Sequence, residues 1–560
     1  DDGVRSGRYQ RTNRRGYLAY FLRCLHIVPI SSTCMEVAKV ELIKKNIHMD
    51  RIKCQSTAQV TLEEDINVPD NKPDVGGIIL HKAVIQIEEV KPTEDHVSVR
   101  GRLLFSVLYQ TKDEGQMLVN IDGKIPFEEQ LYMEGVQGTD AVTVKACLED
   151  LTVGEINSRK LSVQALFTLK ACVEELYDEE APVDLFSEEE VCPLEFRKSN
   201  VNAAQIAIQK NDILRLKEEI SMPQNYPNIF HILWEDVDLE GVTFKPMGES
   251  ISVQGDIHIF VLYEGEGENT PIRFYENTIP FNRNLECSGS RDDMTGLITF
   301  EIGQKNLEVK PDFDGEERML SLELVLDVSI KLYEEENISM VSDVYGVTRG
   351  GECLEKEAVC KQLLMRIAGK SKVFDRLKLE HSEERMLQVI HSRGEVVLDR
   401  TAITEEGILA EGTLNVQVLY ITGDDIAPYH SVTGVLPFSY TLEVPDIRPE
   451  DEVKLLAETG PLQVVMVDSE EMDVKAVLDF QAICFRKQPV SFINDLKITD
   501  LDTEKVNDLP GMVIYVAGAE DNLWNIGKKY YVPVDKIKEV NEMNSDEVHP
   551  GDKLLIVKGM

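Results

Sequence analysis

No two cysteines stand in C-x-x-C spacing, and no apolar run approaches the ~18–20 residues that cross a bilayer. Cations are scarce: Lys+Arg number 59 against 100 Asp+Glu, a formal charge of −41. That sign excludes nucleic acid and anionic membrane as partners, because both recruit cationic surfaces. The ten cysteines are thinly spread. Most lie in apolar, strand-like runs where a thiol acts as a small hydrophobe. This reads as a reduced, cytoplasmic setting rather than a secreted disulfide scaffold, and it excludes a zinc ribbon.

Motifs for catalysis are missing too. The chain has no G-x-x-x-x-G-K-[ST] phosphate loop, no H-E-x-x-H and no G-x-S-x-G elbow. Gly265-Glu-Gly267 meets Thr270 where a dinucleotide loop needs a third glycine. The expectation is a non-enzyme with no catalytic set, no metal ligands and no cofactor.

What is present is size, periodicity and repetition. With 560 residues and 42% hydrophobic residues, the chain is long enough for several packed domains. Residues 1–34 stand apart, with six Arg, no Lys and two Asp in an otherwise acidic chain. Arg23 and His26 interrupt the apolar stretch Tyr17–Ile30, so it makes a poor signal peptide. The segment is read as a non-native or misassigned extension, with Met35 the expected first residue, and it is set aside from the fold.

The body is a threefold repeat. Val99-Arg-Gly-Arg-Leu-Leu-Phe-Ser-Val-Leu-Tyr109, Val253-Gln-Gly-Asp-Ile-His-Ile-Phe-Val-Leu-Tyr263 and Ala410-Glu-Gly-Thr-Leu-Asn-Val-Gln-Val-Leu-Tyr420 align without gaps, at offsets of 154 and 157 residues. Gly101, Gly255 and Gly412 each stand eight residues before the Tyr, and a Pro-Phe pair follows each Gly after 25 residues: Pro126-Phe127, Pro280-Phe281 and Pro437-Phe438. Upstream, Pro69-x-x-x-Pro73 matches Pro223-x-x-x-Pro227, while the third copy has Glu380 and Glu384 there and is the divergent one. The period within each copy is two, which predicts strands.

The repeated residues are packing types. The glycines are expected at a bulge or a close backbone approach. The tyrosines should end core strands with their hydroxyls in water. Pro-Phe should start a strand, and a short helix could follow Pro73 or Pro227. The expected fold is multidomain: three predominantly β repeats, β-sandwich-like or β-rich α+β, over 40–192, 195–348 and 352–488. A linker is expected over 489–511, ahead of a small βααβ module over 512–558. Each copy is long enough to be its own domain.

In that module Met512–Val516 reads as a strand, Asn522 as the cap of a short helix, Val534–Asn541 as a second helix after Pro533, and Lys553–Val557 as a closing strand. Tyr515, Asp521, Leu523-Trp524, Ile526, Lys529-Tyr530, Asn541, Pro550-Gly551 and Lys553-Leu554 resemble the LysM pattern. Trp524 is expected in the module's core among Tyr515, Leu523, Ile526 and Ile537. The resemblance implies a shallow groove for N-acetylglucosamine polymers such as peptidoglycan, formed here by Gly518, Ala519, Glu520, Asp521 and Asn522 with Asn544, Ser545, Asp546, Val548, His549 and Pro550. Glu520 stands where the family usually has Gly, Asn522 where it has Thr and Ala519 where Pro is common. The added bulk and charge leave a protein ligand open beside a glycan.

Pro69-Asp-Asn-Lys-Pro-Asp74 is similar to the P-D-x-x-P-D-(I/V) signature of the SPOCS spore-coat domain. SPOCS repeats ahead of one LysM resemble the SipL family. The resemblance implies an adaptor in the mother-cell cytoplasm, at the outer surface of the forespore. It implies as partners the coat morphogenesis ATPase (stage IV sporulation protein A) and other coat proteins. The alternative is a wall protein that binds peptidoglycan.

Overall fold

The computed structural model describes residues 40–112, 118–187, 194–267, 272–379, 385–424, 426–501 and 508–558. The segment 1–34, Glu380 and Glu384 lie outside the described residues.

Alternating apolar and polar residues make the body a succession of antiparallel strands. The first copy holds β1 (Val40–Asn67), β2 (Val75–Thr93), β3 (His96–Thr111), β4 (Leu118–Tyr132), β5 (Val142–Asn157) and β6 (Lys160–Ser187). They form two sheets, in the orders β2-β3-β4 and β1-β6-β5. Leu103, Phe105 and Val107 of β3 pack against Leu161, Val163 and Ala165 of β6, so the copy is a two-sheet sandwich.

The second copy repeats this with β7 (Leu194–Ser221), β8 (Ile229–Met247), β9 (Ser250–Gly265), β10 (Ile272–Glu286), β11 (Thr295–Pro311) and β12 (Glu317–Gly346). The third does so with β13 (Gly350–Lys378), β14 (Met386–Ile403), β15 (Gly407–Thr422), β16 (Tyr429–Glu443), β17 (Glu452–Met466) and β18 (Glu471–Thr499). Residues 489–499, expected in a linker, therefore complete β18.

The repeated residues turn out to be partners. Gly101 faces Phe127 across β3 and β4, Gly255 faces Phe281, and Gly412 faces Phe438. A Cβ on Gly101 would stand 2.5 Å from the Gln86 carbonyl oxygen and 2.7 Å from the Phe127 ring; on Gly412 it would stand 2.1 Å from that of Val397. Gly255 is less crowded, with Val242 at 3.1 Å. The strand on the other side of each glycine carries a register shift at that point: Ile87/Glu89, Glu240/Thr243 and Leu398/Arg400. The bulge brings backbone against the glycine while the Phe ring covers it.

Pro-Phe does not start a strand. Pro126 lies within β4, an edge strand of its sheet, where a missing N–H costs no ladder bond. The tyrosines do not reach water either. Tyr109 and Tyr263 are fully buried, and their hydroxyls donate to the Pro73 and Pro227 carbonyls at 2.9 and 3.3 Å. Burial pushes both hydroxyls up to about 12. No helix follows the prolines: Lys72 N–H donates to Pro69 O and Tyr226 N–H to Pro223 O, closing turns that lead into β2 and β8. The second proline thus ends a turn whose carbonyl needs a buried donor, and the tyrosine supplies it.

The outer strands are long. At ~3.3 Å per residue, 28-residue β1 spans on the order of 90 Å. Its first half pairs with β6 beyond the sandwich as a two-stranded ribbon. β7 with β12 and β13 with β18 do the same. A register shift marks the exit from the sandwich at Ile52/Cys54, Leu332/Tyr333 and Leu363/Met365, one position in all three copies.

The copies are not strung out. Ile79, Leu233 and Ile390 occupy one repeat position, as do Leu108, Leu262 and Leu419, and all six meet in one buried cluster. Equivalent positions can meet only if the copies surround a shared, approximate threefold axis. The ribbons converge likewise: Met49, Ala203 and Cys360, again one position, are buried together with Ala181, Met340 and Phe492.

Charges on this axis are not equivalent. Buried Asp50 of β1 accepts from Lys331 of β12 at 2.6 Å and Lys361 of β13 at 2.9 Å, with Lys454 of β17 at 3.4 Å. Glu174 and Glu452 bond the same lysines, and Tyr333 Oη donates to Asp50 at 3.2 Å. Burial alone would raise the Asp50 carboxyl, but Lys331, Lys454 and Lys361 outweigh it and hold it well below the usual carboxylate range. Farther along, Lys82, Asp236 and Arg393 share one position. Asp236 accepts from Trp234 Nε1 at 2.8 Å, His391 Nε2 at 3.0 Å and Lys82 Nζ at 2.8 Å. There too burial is outweighed, by the His391 bond and by Lys82 and Arg393, so Asp236 is held low.

Candidate binding site

The C-terminal module is β19 (Met512–Val516), α1 (Leu523–Tyr530), α2 (Val534–Val540) and β20 (Lys553–Val557). The two strands pair antiparallel. Asn522 caps α1 as expected: its Oδ1 accepts from Asn525 N–H at 2.8 Å. Leu523, Ile526, Val532, Ile537, Leu554 and Ile556 form the core. Asn541 staples α2 to β20, donating to the Leu555 carbonyl and accepting from its N–H.

The fold brings the two expected groove loops together at their bases. Ala517 N–H donates to Asp552 O at 2.9 Å and Gly551 N–H to Ala517 O at 2.8 Å. Gly518, Ala519, Glu520 and Asn522 on one loop and Asn544, Ser545, Asp546, His549 and Pro550 on the other are exposed, while Asp521 and Val548 are half-buried. Asp521 shapes the first loop by accepting from Gly518 N–H at 2.7 Å and Tyr515 Oη at 2.8 Å. Those two bonds lower the Asp521 carboxyl, and the second raises the Tyr515 hydroxyl. Asp552 shapes the second by accepting from His549 N–H at 2.8 Å, and Asp546 pairs with Lys538 at 2.7 Å. Glu520 is tolerated where the family prefers glycine because its φ is not positive.

Trp524 departs from its expected place. It is half-buried and absent from the module's core. It faces the free end of the second copy's ribbon, where its Nε1 donates to Asp343 at 2.7 Å and its ring meets Tyr345 edge-on at 4.8 Å. Arg197 of β7 lies over the same ring at 5.5 Å. Lys528 pairs with Asp343 at 2.7 Å, and Tyr345 Oη donates to Val532 O at 2.9 Å. Gly527 makes room: a Cβ there would stand 2.7 Å from the Tyr345 hydroxyl. The helical spacing puts Trp524 and Lys528 on one face of α1, and that face is spent on docking. Sequence reasoning missed Asp343, Tyr345, Arg197 and Gly527. Asp343 has counterparts in Asp184 and Asp495, but Tyr345 stands where the other copies have Phe186 and Lys497, so the repeat gives no hint of it.

Among the described residues, no group of three or more His, Cys, Asp and Glu could hold a metal ion, and no helix is long and apolar enough to cross a membrane.

These features define a class: a closed three-copy β scaffold carrying a small binding module clipped to one of its ends. The SipL, SPOCS domain family matches residues 74–156, 228–310 and 385–467, and the LysM domain family matches 515–557. The chain is thus of the SipL type, with three SPOCS domains followed by a C-terminal LysM domain. That is the domain set of a sporulation-related coat protein with a LysM binding module, and both families are binding domains. Each SPOCS match spans the middle four strands of a copy, leaving both ribbon strands outside it. No curated protein and no solved structure matches the chain.

Proposed function

We propose that this protein is a non-catalytic adaptor of spore-coat assembly, acting in the mother-cell cytoplasm at the outer surface of the forespore. It binds the coat morphogenesis ATPase (stage IV sporulation protein A) and other coat proteins. The observation that carries the reading is the posture of the LysM module. Its α1 face is clamped to the scaffold through Trp524 and Lys528 while both groove loops stay exposed. A held, outward-facing groove suits a component that must present one macromolecule to others. Co-purification from sporulating cells tests it: the ATPase should accompany the wild-type chain and be depleted by Glu520→Lys. An unchanged yield with Glu520→Lys and with an Asn544→Asp/His549→Asp double variant would count against the groove as the grip.

A second reading, peptidoglycan binding, draws on the groove itself, whose two loops are tied together at their bases within the stretch that matches the LysM domain. Retention of the full chain on purified peptidoglycan, lost with Glu520→Trp, would favour it.

A further inference from the structure

The threefold arrangement creates a cleft of about 650 Å³ where the third copy meets the first. Its floor is the outer face of the sheet β14-β15-β16 and its wall is Leu148–Val153 of β5 with His81–Ala83 of β2. Strand pairing orders the floor into rows: Arg393, Gln417 and Thr433 in one, and Glu395, Asn415 and Val435 in the next. Successive rows are two residues apart along each strand, ~6.6–6.8 Å, which is also the side-chain period of an extended chain.

Two observations bear on what the cleft can take. The side chains of Glu395, Asn415, Gln417 and Thr433 form no hydrogen bond or ion pair with any described residue, and the ion partner of Arg393 within 4 Å is Asp236 at 3.9 Å. Glu395 is exposed at the cleft mouth, yet desolvation by the surrounding walls raises its carboxyl, Arg393 opposing and Asp238 adding to the rise. The wall, in turn, is an edge: β5 pairs with β6 on one side only. One of its carbonyls, Leu151 O, is met by His81 Nε2 at 3.1 Å. An edge strand, flanked by β2 but paired with no strand on that side, that faces a grid of polar side chains at strand spacing has the two elements of recognition by strand addition. The lining has no Phe, Tyr or Trp on which a sugar could stack.

We propose that this cleft binds an extended peptide segment of a partner protein. The segment runs along β5 and directs alternate side chains onto the floor, an acidic one at Arg393 and a basic one at Glu395, one residue between them. The site is separate from the LysM groove and does not depend on what that groove holds.

The probe is a phage-displayed library of random linear heptapeptides selected on the full chain, with bound peptides remeasured as synthetic peptides. Enriched sequences should carry acid-x-base or base-x-acid. Their affinity should fall at least tenfold with Glu395→Lys, recover when the basic residue is exchanged for an acidic one, and be unchanged by Glu520→Lys. No enrichment, or affinity indifferent to Glu395→Lys, overturns the proposal. Should that variant fail to fold, hydrogen exchange on the parent chain decides: bound peptide must protect 148–153 and 413–417, and protection only elsewhere overturns it.

Discussion

The scaffold and the LysM module are held together by opposite means. The scaffold buries charge: Asp50, Lys331 and Lys361 sit on an axis where three copies meet, each contributing something different. The module buries only hydrocarbon in its core and meets its neighbour through half-buried Trp524 and exposed Lys528, with one buried contact between Tyr345 and Val532. The first arrangement is strong only while every partner is present; the second can be undone without unfolding either side.

The largest expected effect is Asp50→Ala. It strands lysines from two copies against one another, and a broken buried ion pair costs ~3–5 kcal/mol. Denaturant unfolding should show that loss in the scaffold transition, with the module transition in place. An unmoved scaffold transition would mean that the axis does not rest on this carboxylate. Acid should reproduce part of the loss. Asp50 and Asp236 have carboxyls depressed by the fold. Their contribution is complete above the ordinary carboxylate range and drains away as pH falls below it toward their depressed values. Melting followed from pH 6 down to pH 2 should therefore destabilise the scaffold before the module; the reverse order would contradict the contrast.

Next is Gly101→Ala, which forces a methyl against the Gln86 carbonyl and the Phe127 ring, at ~1–3 kcal/mol. The same change at Gly255, where the nearest atom is 3.1 Å away, should cost less. Equal losses would show that the bulge relaxes freely in both copies. The smallest effect on folding belongs to Trp524→Ala. Its hydrogen bond and edge-on ring contact are with the scaffold, so the module's own stability should change by about 0.5 kcal/mol or less. Its tumbling, read by NMR relaxation, should become independent of the scaffold. A module that unfolds would return Trp524 to the core.

What the sequence disclosed follows the same division. Gly101, Phe127 and Tyr109 were visible because each copy needs the same local contacts, so the spacing recurs in all three; Pro73 was visible because it recurs as Pro227. Their pairings were not, since spacing does not say that a glycine lies under a ring of the next strand or that a tyrosine caps a proline carbonyl. The axis was hidden for a further reason. Asp50 corresponds to Ala204 and Lys361, so looking for sameness discards the very positions that join the copies. The LysM loops were legible because the module is short and its ends are tied locally. The role of Trp524 was not, because its partner lies 181 residues away.

Because each copy closes on the next until the last returns to the first, the gene cannot readily gain or lose a unit. A fourth would find no vacant flank, and a pair would leave its inner surfaces wet. An open array can drift in length over generations, whereas this architecture counts to three and stops.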